Sequence, residues 1–480
     1  MATAELMRVA CVHSFGRSSA SRAHVMPDCG TLLIVPLAIE VAPFAAGSTR
    51  TVRVVAINVT TPGPKCSKEL SMSLGRSLFR RPPFRTWFPL SVFALTRFIN
   101  FVMISLSART QIALTHSYPG NSGYMVYSPS PASPAYLTAI TNWDGQWYLR
   151  IVEQGYDLTA VISDEQFART FTLRPPLFPM MIRAVMWATG LGFGAAATLV
   201  NLLVGSVTVL LLYRLVEPAA GRFVAGSAVA LLCAFVSAPV LQLAYSDGLA
   251  LMLIVLTMLL IARRRYWFAV VAILALMMTR LVTPPLAVVL AAHAWTRFRN
   301  RQDSPIGRGE LAAMVAVFVT SIAGLFAWST ILRLWLGDID AESGRGSVIS
   351  MQRAGLGWFS QAYHRFGPPG VGLVVVFVVI LVALAYTPGA SSWGAETRAW
   401  LWAYPAFLTV GTTVHAGQLR YFLADFPLML LLVRSPPIHA SPKTRLAIVT
   451  FACLVGLVLQ WLWIDHALII HNENSTFWLP

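Results

Sequence analysis

Long apolar runs dominate the sequence between residues 87 and 465. Of the 480 residues, 56% are hydrophobic and only 12% are charged, about half the charged fraction of a typical soluble domain. Eleven runs approach the roughly 20 residues that a helix needs to cross a bilayer. They are 87–107, 194–214, 223–243, 246–262, 266–281, 283–296, 311–334, 367–387, 397–414, 419–434 and 446–465. The sequence therefore predicts an all-α polytopic membrane protein, a bundle of about 11 transmembrane helices.

The fifth and sixth runs fit this pattern least well. Each is short, and Pro284 and Pro285 lie at their junction. Because proline interrupts a helix, we expect either one broken helix or a short hairpin here.

Basic residues cluster in loops that eleven spans would place on one side of the membrane. Arg263–Arg265 follow the fourth run, and the remaining clusters are Arg76, Arg80, Arg81 and Arg85, then Arg297, Arg299, Arg301 and Arg308, then Arg434, Lys443 and Arg445. Such residues mark cytoplasmic loops, so we expect a multi-pass protein of the cell membrane with a cytoplasmic N-terminus. The net charge of +16 then indicates contact with anionic headgroups rather than with nucleic acid.

The two ends of the chain differ from this core. Residues 1–71 have no helical periodicity, and we expect either a weakly ordered extension or a true start at Met72. Residues 72–470 would form the transmembrane domain and 471–480 an outer tail. The five cysteines show no CxxC or metal-ligand spacing, so neither a disulfide framework nor a zinc site is expected.

The predicted first outer loop, 108–193, carries the densest polar and aromatic stretch, NWDGQWYLRIVEQGYD. Arg150 and Glu153 would share one face of a short surface helix that ends at Gly155. Farther along, PPLFPMMIRAVMWATGLGFG is apolar, but counting it as a span would move every later basic loop to the other side of the membrane. We expect an interfacial helix with Arg183 toward the headgroups and Trp187 at the boundary.

Charged residues from distant loops converge on the same predicted outer face. Asp144 lies in the first outer loop, Asp247 starts the fourth span, Arg280 ends the fifth, and Arg420 lies at the ninth-to-tenth turn. Carboxylates, arginines and aromatic residues at one interface favour a site for an anionic group carried by a lipid. Individually, the acids could cap helices and the arginines could snorkel. Arg97, in the middle of the first run, would face protein, a lipid phosphate or water.

The stretch WDGQWYLRIVEQGY resembles the first signature of the PIG-V-type mannosyltransferases, membrane glycosyltransferases of the GT-C superfamily. Four further segments resemble that family in the same order: LRPPLFPMMIRAV, LAYSDGLALMLIVL, MMTRLVTPPL and GQLRYFLADFPLMLLL. The resemblance covers about residues 87–435. The sequence departs from the family pattern at Asp247, where glutamate is usual, and at Ala424 and Asp425, where a Leu-Pro pair is common.

The resemblance implies a GT-C-like bundle with an outward-facing active site. It also implies a polyprenyl-phosphate sugar donor, typically carrying mannose, and inversion at the anomeric carbon. The acceptor would be a glycolipid, a lipoglycan or a protein hydroxyl. Three alternatives stay open: a GT-C transferase of arabinofuranose or glucose, a transporter or flippase for lipid-linked sugars, and a catalytically silent partner.

Such a transfer needs a base for the acceptor hydroxyl and positive charge for the leaving phosphate. We expect Asp144 to be the base, with Trp143 and Trp147 stacking on sugar and raising its pKa. Asp247 would be the second catalytic carboxylate, which binds acceptor hydroxyls or orients the site. The predicted substrate contacts are Arg280 and Arg420 on the phosphate, with Tyr421, His415, Tyr148 and Tyr245 beside them. No cofactor is expected; a divalent metal is possible but not indicated, and Asp338 and Asp340 resemble a solvated loop.

Overall fold

Helices account for nearly all the regular structure of the protein. The computed structural model describes residues 84–115, 126–156, 174–336, 357–387, 390, 392–412, 414, 417–434 and 441–471. All of them belong to one unit, Pro82–Pro480. The predicted extension 1–71, the alternative start Met72 and nearly all of the tail 471–480 lie outside the described residues.

The described residues form fifteen α-helices. These are α1 Phe84–Ser107, α2 Tyr136–Ala139, α3 Asp144–Gln154, α4 Leu177–Thr189, α5 Phe193–Ala234, α6 Asp247–Ala262, α7 Tyr266–Met277, α8 Pro284–Arg299, α9 Arg308–Leu336, α10 Gly357–Phe366, α11 Pro368–Ala385, α12 Ala395–Gly411, α13 Gln418–Phe422, α14 Pro427–Arg434 and α15 Pro442–Trp463. Within these ranges the only β-pairing is an isolated antiparallel bridge between Leu114 and Ser130.

Five helical stretches of the described chain are long and apolar enough to cross a membrane. They are Phe84–Thr110, Phe193–Ala234, Arg308–Trp335, Pro368–Ala385 and Pro442–Leu468. Three more helices are apolar but shorter: α4, α6 and α7. The prediction of an all-α membrane protein is confirmed, whereas the number of 11 spans is not confirmed.

Three helix boundaries differ from those predicted. The second and third runs form the two helical segments of α5, which are separated by the non-helical Gly221 (φ 84°), and the second segment ends at Ala234 rather than at residue 243. Glycine adopts this left-handed value without steric cost. The fifth run ends at Met277, so Arg280 lies in the α7–α8 connection. The tenth run divides into α13 and α14, because Pro427 lacks an N–H and disfavours helix in the residue before it.

The end of α5 and the turn that follows it lie inside the protein, and carbonyl oxygens there accept hydrogen bonds from side chains of two other helices. Arg97 of α1, which is only 4% exposed, donates to the carbonyl oxygens of Cys233 (3.2 Å) and Ala238. Gln460 of α15 donates to Cys233 O (3.0 Å) and Phe235 O (2.9 Å). A cation at a helix C-terminus also suits the helix dipole. Arg97 thus turns into the protein, and no described carboxylate forms an ion pair with it.

Beyond α5 the chain makes a 3₁₀ turn, Ala238–Gln242, and then begins α6 at Asp247, as the sequence predicts. Asn201 of α5 holds this connection, since its amide nitrogen donates to the carbonyl oxygens of Leu243 and Tyr245 (3.1 Å for the second). The buried connection places Tyr245, Ser246 and Asp247 at the head of α6.

We expect Arg97→Met to lower the free energy of unfolding by about 2–4 kcal/mol, because buried carbonyl oxygens lose their charged donor. Thermal unfolding in detergent micelles measures this loss. Phe98→Leu is the matched control, since Phe98 lies on the exposed face of the same helix. Equal stability of the two variants would contradict the capping role.

Candidate active site

Three arginines and two aspartates from five separate parts of the chain form one charged cluster. Asp144 is the first residue of α3 and Asp247 the first residue of α6. Arg280 lies between α7 and α8, Arg420 lies in α13, and Arg174 precedes α4. The cluster therefore depends on loops and helix ends that the fold brings together.

Arg420 joins the two aspartates. Its Nη1 lies 2.8 Å from Asp144 Oδ2, and its Nε lies 3.4 Å from Asp247 Oδ1. Arg280 Nη1 lies 2.7 Å from the same Asp247 oxygen, and Arg174 pairs with Asp144 Oδ1. With all five groups ionised, the cluster holds one more positive than negative charge.

Arg174 is absent from the residues that the sequence analysis assigned to the site. The sequence did mark this position, because Arg174 is the second residue of the segment LRPPLFP, which resembles a family motif. The sequence alone does not reveal that this arginine, 30 residues after Asp144, turns back onto that carboxylate. The hydroxyl of Tyr156, which donates to Arg174 O at 2.8 Å, holds the backbone there.

Tyrosine rings lie beside each guanidinium group. The Arg174 guanidinium lies 5.6 Å from the centre of the Tyr148 ring, and that of Arg280 lies 5.3 Å from Tyr421. Arg420 lies 5.4 Å from Tyr421 and 5.2 Å from Tyr245. Cation–π contacts of this kind are worth about 0.5–2 kcal/mol each, and two of the guanidinium groups, those of Arg280 and Arg420, share the Tyr421 ring.

The tyrosines are held in turn by hydrogen bonds. Tyr148 OH donates to Ser246 Oγ (2.7 Å), and Tyr245 OH donates to Asn142 O (3.1 Å). Both bonds run between the α3 region and the head of α6. They fix Asp144 and Asp247 relative to each other without using either carboxylate.

A cavity of about 260 Å³ opens beside the cluster. Its charged wall consists of Asp144, Arg174, Arg280 and Arg420, and its apolar wall includes Leu281, Val282, Phe407 and Leu408. Asp247 lies behind this wall with Arg280 and Arg420, and its Oδ2 is buried without a hydrogen-bond partner in the described chain. Asp144 is thus the only described carboxylate that lines this cavity of about 260 Å³.

The environment of Asp144 corrects one expectation. The sequence analysis expected neighbouring tryptophans to raise the pKa of this carboxyl. Burial does favour a higher pKa, but Arg174, Arg420 and Arg280 outweigh it and hold the pKa of Asp144 well below its usual range. Burial likewise opposes the charged form of Arg420, but Asp247 and Asp144 outweigh it and raise the pKa of its guanidinium.

The structure does not bring Trp143 and Trp147 to the cavity wall. The Trp143 ring is buried in a separate apolar cluster, and its Nε1 donates to Leu468 O (3.2 Å). Trp147 is half-buried and is not among the residues that line the cavity. The predicted substrate residue His415 lies outside the described residues, as do Asp338 and Asp340.

The residues around Asp144 serve to position it. Asn142 Nδ2 donates to Gln111 Oε1 (2.7 Å) and to Leu468 O (3.1 Å). At Gly145, a Cβ atom would lie 3.3 Å from both Ala244 Cβ and Ile140 O, so a side chain would disturb the approach to α6. The helix α3 ends at Gly155, where φ is 70°, which confirms the predicted end.

No group of three or more histidine, cysteine, aspartate or glutamate side chains in the described ranges could hold a metal ion. In this cluster the carboxylate oxygens face guanidinium groups instead. The arrangement is suited to binding an anion and to holding one ionised carboxylate beside it.

We expect Asp144→Asn to lower the free energy of unfolding by about 2 kcal/mol through loss of charged hydrogen bonds. The pKa of Asp144 is lower in the folded state than the unfolded-state value of about 3.9. The carboxylate therefore contributes its full stability above about pH 3.9, and this contribution is lost as the pH falls through the folded-state pKa. The difference between the two proteins should be constant from about pH 8 to about pH 5 and shrink below about pH 4. Unfolding in detergent across this range measures it. The exposed Asp303→Asn is the control, and a difference that shrinks already near neutral pH would contradict the ion pairs.

No family model and no curated protein matches the sequence. Among solved structures, ArnT from Cupriavidus metallidurans bound to undecaprenyl phosphate is similar with a TM-score of 0.43 and 13% identity, over 78% of this chain and 69% of ArnT. The archaeal oligosaccharyltransferase AglB from Archaeoglobus fulgidus, in complex with an inhibitory peptide and a dolichol-phosphate, is similar with a TM-score of 0.39 and 13% identity. That match covers 83% of this chain and 57% of AglB, less than two thirds of its length. Neither likeness assigns an activity to this chain.

Proposed function

We propose that this protein is a membrane glycosyltransferase that moves a sugar from a polyprenyl-phosphate donor to a hydroxyl acceptor. The observation that carries the proposal is the cavity wall of three arginines and one ionised aspartate, facing an apolar wall. A lipid phosphate has the matching chemistry, since its oxygens accept bidentate guanidinium bonds and its chain is apolar.

In the proposed reaction the acceptor hydroxyl oxygen attacks the anomeric carbon. The carbon–oxygen bond to the phosphate breaks, and the polyprenyl phosphate leaves with that electron pair. Arg174, Arg280 and Arg420 stabilise the leaving anion, and this kind of fixed charge is commonly a large term in catalysis. One displacement of this kind inverts the anomeric carbon.

Asp144 receives the proton of the acceptor hydroxyl in this mechanism. A carboxylate held between two guanidinium groups is a weak base on its own. The donor phosphate competes for the same N–H groups of Arg174 and Arg420, which returns proton affinity to the Asp144 carboxylate. Donor binding and base strength are thereby coupled.

Asp247 acts as a positioning residue. It lies behind Arg280 and Arg420, pairs with both, and does not line the cavity beside Asp144. Its shorter side chain, where the resembling family carries glutamate, suits an anchor at the head of α6 rather than a group that reaches the sugar.

The geometry of α6 and α7 supports an outer-face site. Asp247 begins α6, whose 16 residues span about 24 Å before Arg263 follows. The chain returns along α7 to Arg280, and α6 and α7 pack against each other. The charged cluster and the Arg263–Arg265 loop thus lie at opposite ends of the two helices, and the basic end is expected to be cytoplasmic.

The sugar is proposed to be mannose, and this detail depends on the sequence resemblance to PIG-V-type enzymes. The order of WDGQWYLRIVEQGY, LAYSDGLALMLIVL and GQLRYFLADFPLMLLL carries it. The acceptor is proposed to be a glycolipid, a lipoglycan or a protein hydroxyl at the outer surface.

In the direct test, membranes that contain the protein receive radiolabelled polyprenyl-phosphomannose. The measurement is the amount of label that appears in product. We expect Asp144→Asn to lower transfer at least about a hundredfold at unchanged protein level, as loss of a general base does. Asp303→Asn, the same change on an exposed loop, should retain activity. Full activity of Asp144→Asn would remove the base role. Movement of label across the membrane without covalent transfer would indicate a transporter, and transfer from another polyprenyl-phosphate sugar alone would reassign the donor.

A second variant tests the arginine that the sequence analysis did not identify. Arg174→Gln should lower kcat about a hundredfold, because a leaving phosphate loses one fixed donor. Arg183→Gln is the matched control, since Arg183 is exposed on α4. Steady-state transfer rates at saturating donor measure both. Equal activity of the two variants would place Arg174 outside the reaction.

A further inference from the structure

A second recess lies at the opposite ends of the helices from the charged cluster. Its volume is about 410 Å³, and Arg264, Arg265, Tyr266, Trp267, Phe268, Gly309, Glu310 and Ala313 line it. It is bounded by the start of α7 and the start of α9, two helices that pack against each other. None of these residues takes part in the proposed transfer.

The recess carries positive charge that the described chain does not neutralise. Arg264 donates to Ser304 Oγ (3.1 Å), and neither Arg264 nor Arg265 forms an ion pair with a described carboxylate. The side chain of Arg265 makes no hydrogen bond within the described ranges and does not cap α7. The N-terminus of α7, which has partial positive charge, adds to the same potential.

The one acid in the recess is already paired. Glu310 accepts two hydrogen bonds from Arg297, at 3.1 Å from Nε and 3.2 Å from Nη2, and a third from Tyr266 OH at 3.1 Å. Its hydrogen bonds therefore go to Arg297 and Tyr266, and its electrostatic attraction to Arg264 is the weaker interaction. Arg264 and Arg265 remain able to bind an anion.

Apolar side chains continue from the recess along both helices. Trp267 and Phe268 are 61% and 64% exposed, and Val271 and Leu274 extend the exposed face of α7. On α9, the exposed residues Leu311, Val315 and Phe318 recur at spacings of four and three. Such spacing puts them on one helix face. A charged recess that leads into an apolar stripe matches a phospholipid better than a soluble anion.

We propose that the recess between the starts of α7 and α9 binds the headgroup of an anionic glycerophospholipid. Arg264 and Arg265 contact its phosphate, and its acyl chains lie on the exposed faces of α7 and α9. The site is distinct from the donor cavity, and it does not depend on the proposed transferase activity.

Native mass spectrometry of the purified protein tests this proposal. The protein is mixed with equal amounts of dioleoyl phosphatidylglycerol and dioleoyl phosphatidylcholine. We expect at least about a tenfold preference for phosphatidylglycerol, the size that two juxtamembrane arginines supply. The double variant Arg264→Gln/Arg265→Gln should lower the preference to within about twofold, whereas Arg264→Lys/Arg265→Lys should keep it.

The matched control removes the same charge from the next basic loop. Arg299 and Arg301 lie over the rings of Trp295 (5.1 Å) and Phe298 (4.0 Å), outside the recess. Arg299→Gln/Arg301→Gln should keep the lipid preference. An equal loss in both glutamine variants would indicate general attraction to the membrane surface and overturn the site. Displacement of the lipid by millimolar inorganic phosphate would indicate a soluble anion and overturn it as well. If a variant does not fold, the wild-type competition still tests the proposal, because equal binding of the two lipids by wild-type protein would overturn it.

Discussion

The carbonyl groups at the buried end of α5 impose the strongest requirement on this fold. A helix that stops inside a membrane protein leaves acceptors that water does not reach, and each one left unpaired would be costly. Arg97 and Gln460 supply the donors from α1 and α15. Because that end is satisfied, the chain can make a 3₁₀ turn within the protein and begin α6 at the charged cluster. Arg97, for which the sequence left protein, a lipid phosphate or water open as surroundings, thus pairs with protein and supports the site from a distance.

Repulsion and attraction between charged groups oppose each other in the charged cluster. Three neighbouring guanidinium groups repel one another, and two aspartates and three tyrosine faces offset that repulsion. Two carboxylates do not cancel three cations, so the cavity retains a positive charge for an anionic ligand. The lipid recess at the other end of α7 is built differently, since its arginines are exposed and its acid is held by Arg297. The two proposed phosphate-binding sites therefore lie at opposite ends of α7 and use arginines in different ways.

Features that depend on local chemistry were predictable from the sequence. The helical class, the start of α6 at Asp247 and the end of α3 at Gly155 follow from hydropathy, an acid at a helix start and a glycine. Features set by distant contacts were not. Arg174 contacts Asp144 although the two residues are 30 positions apart and no sequence period links them. The sequence also does not distinguish a tryptophan buried in an apolar cluster, as Trp143 is, from one that stacks on sugar. The pKa shift of Asp144 was predicted in the wrong direction. The sequence shows the neighbouring tryptophans, but it does not show how close the arginines come to the Asp144 carboxylate.

The segment around Asp144 is completed by residues from the far end of the chain. Asn142 and Trp143 both donate to the carbonyl oxygen of Leu468, and Ile112 donates to that of Ile470. More than 300 residues are synthesised and inserted between these partners. Local helices form early, whereas contacts between distant residues must await the whole chain. The described helices from α3 to α15 are therefore inserted before Asp144 reaches its final position, and the charged cluster is completed among the last events of biogenesis.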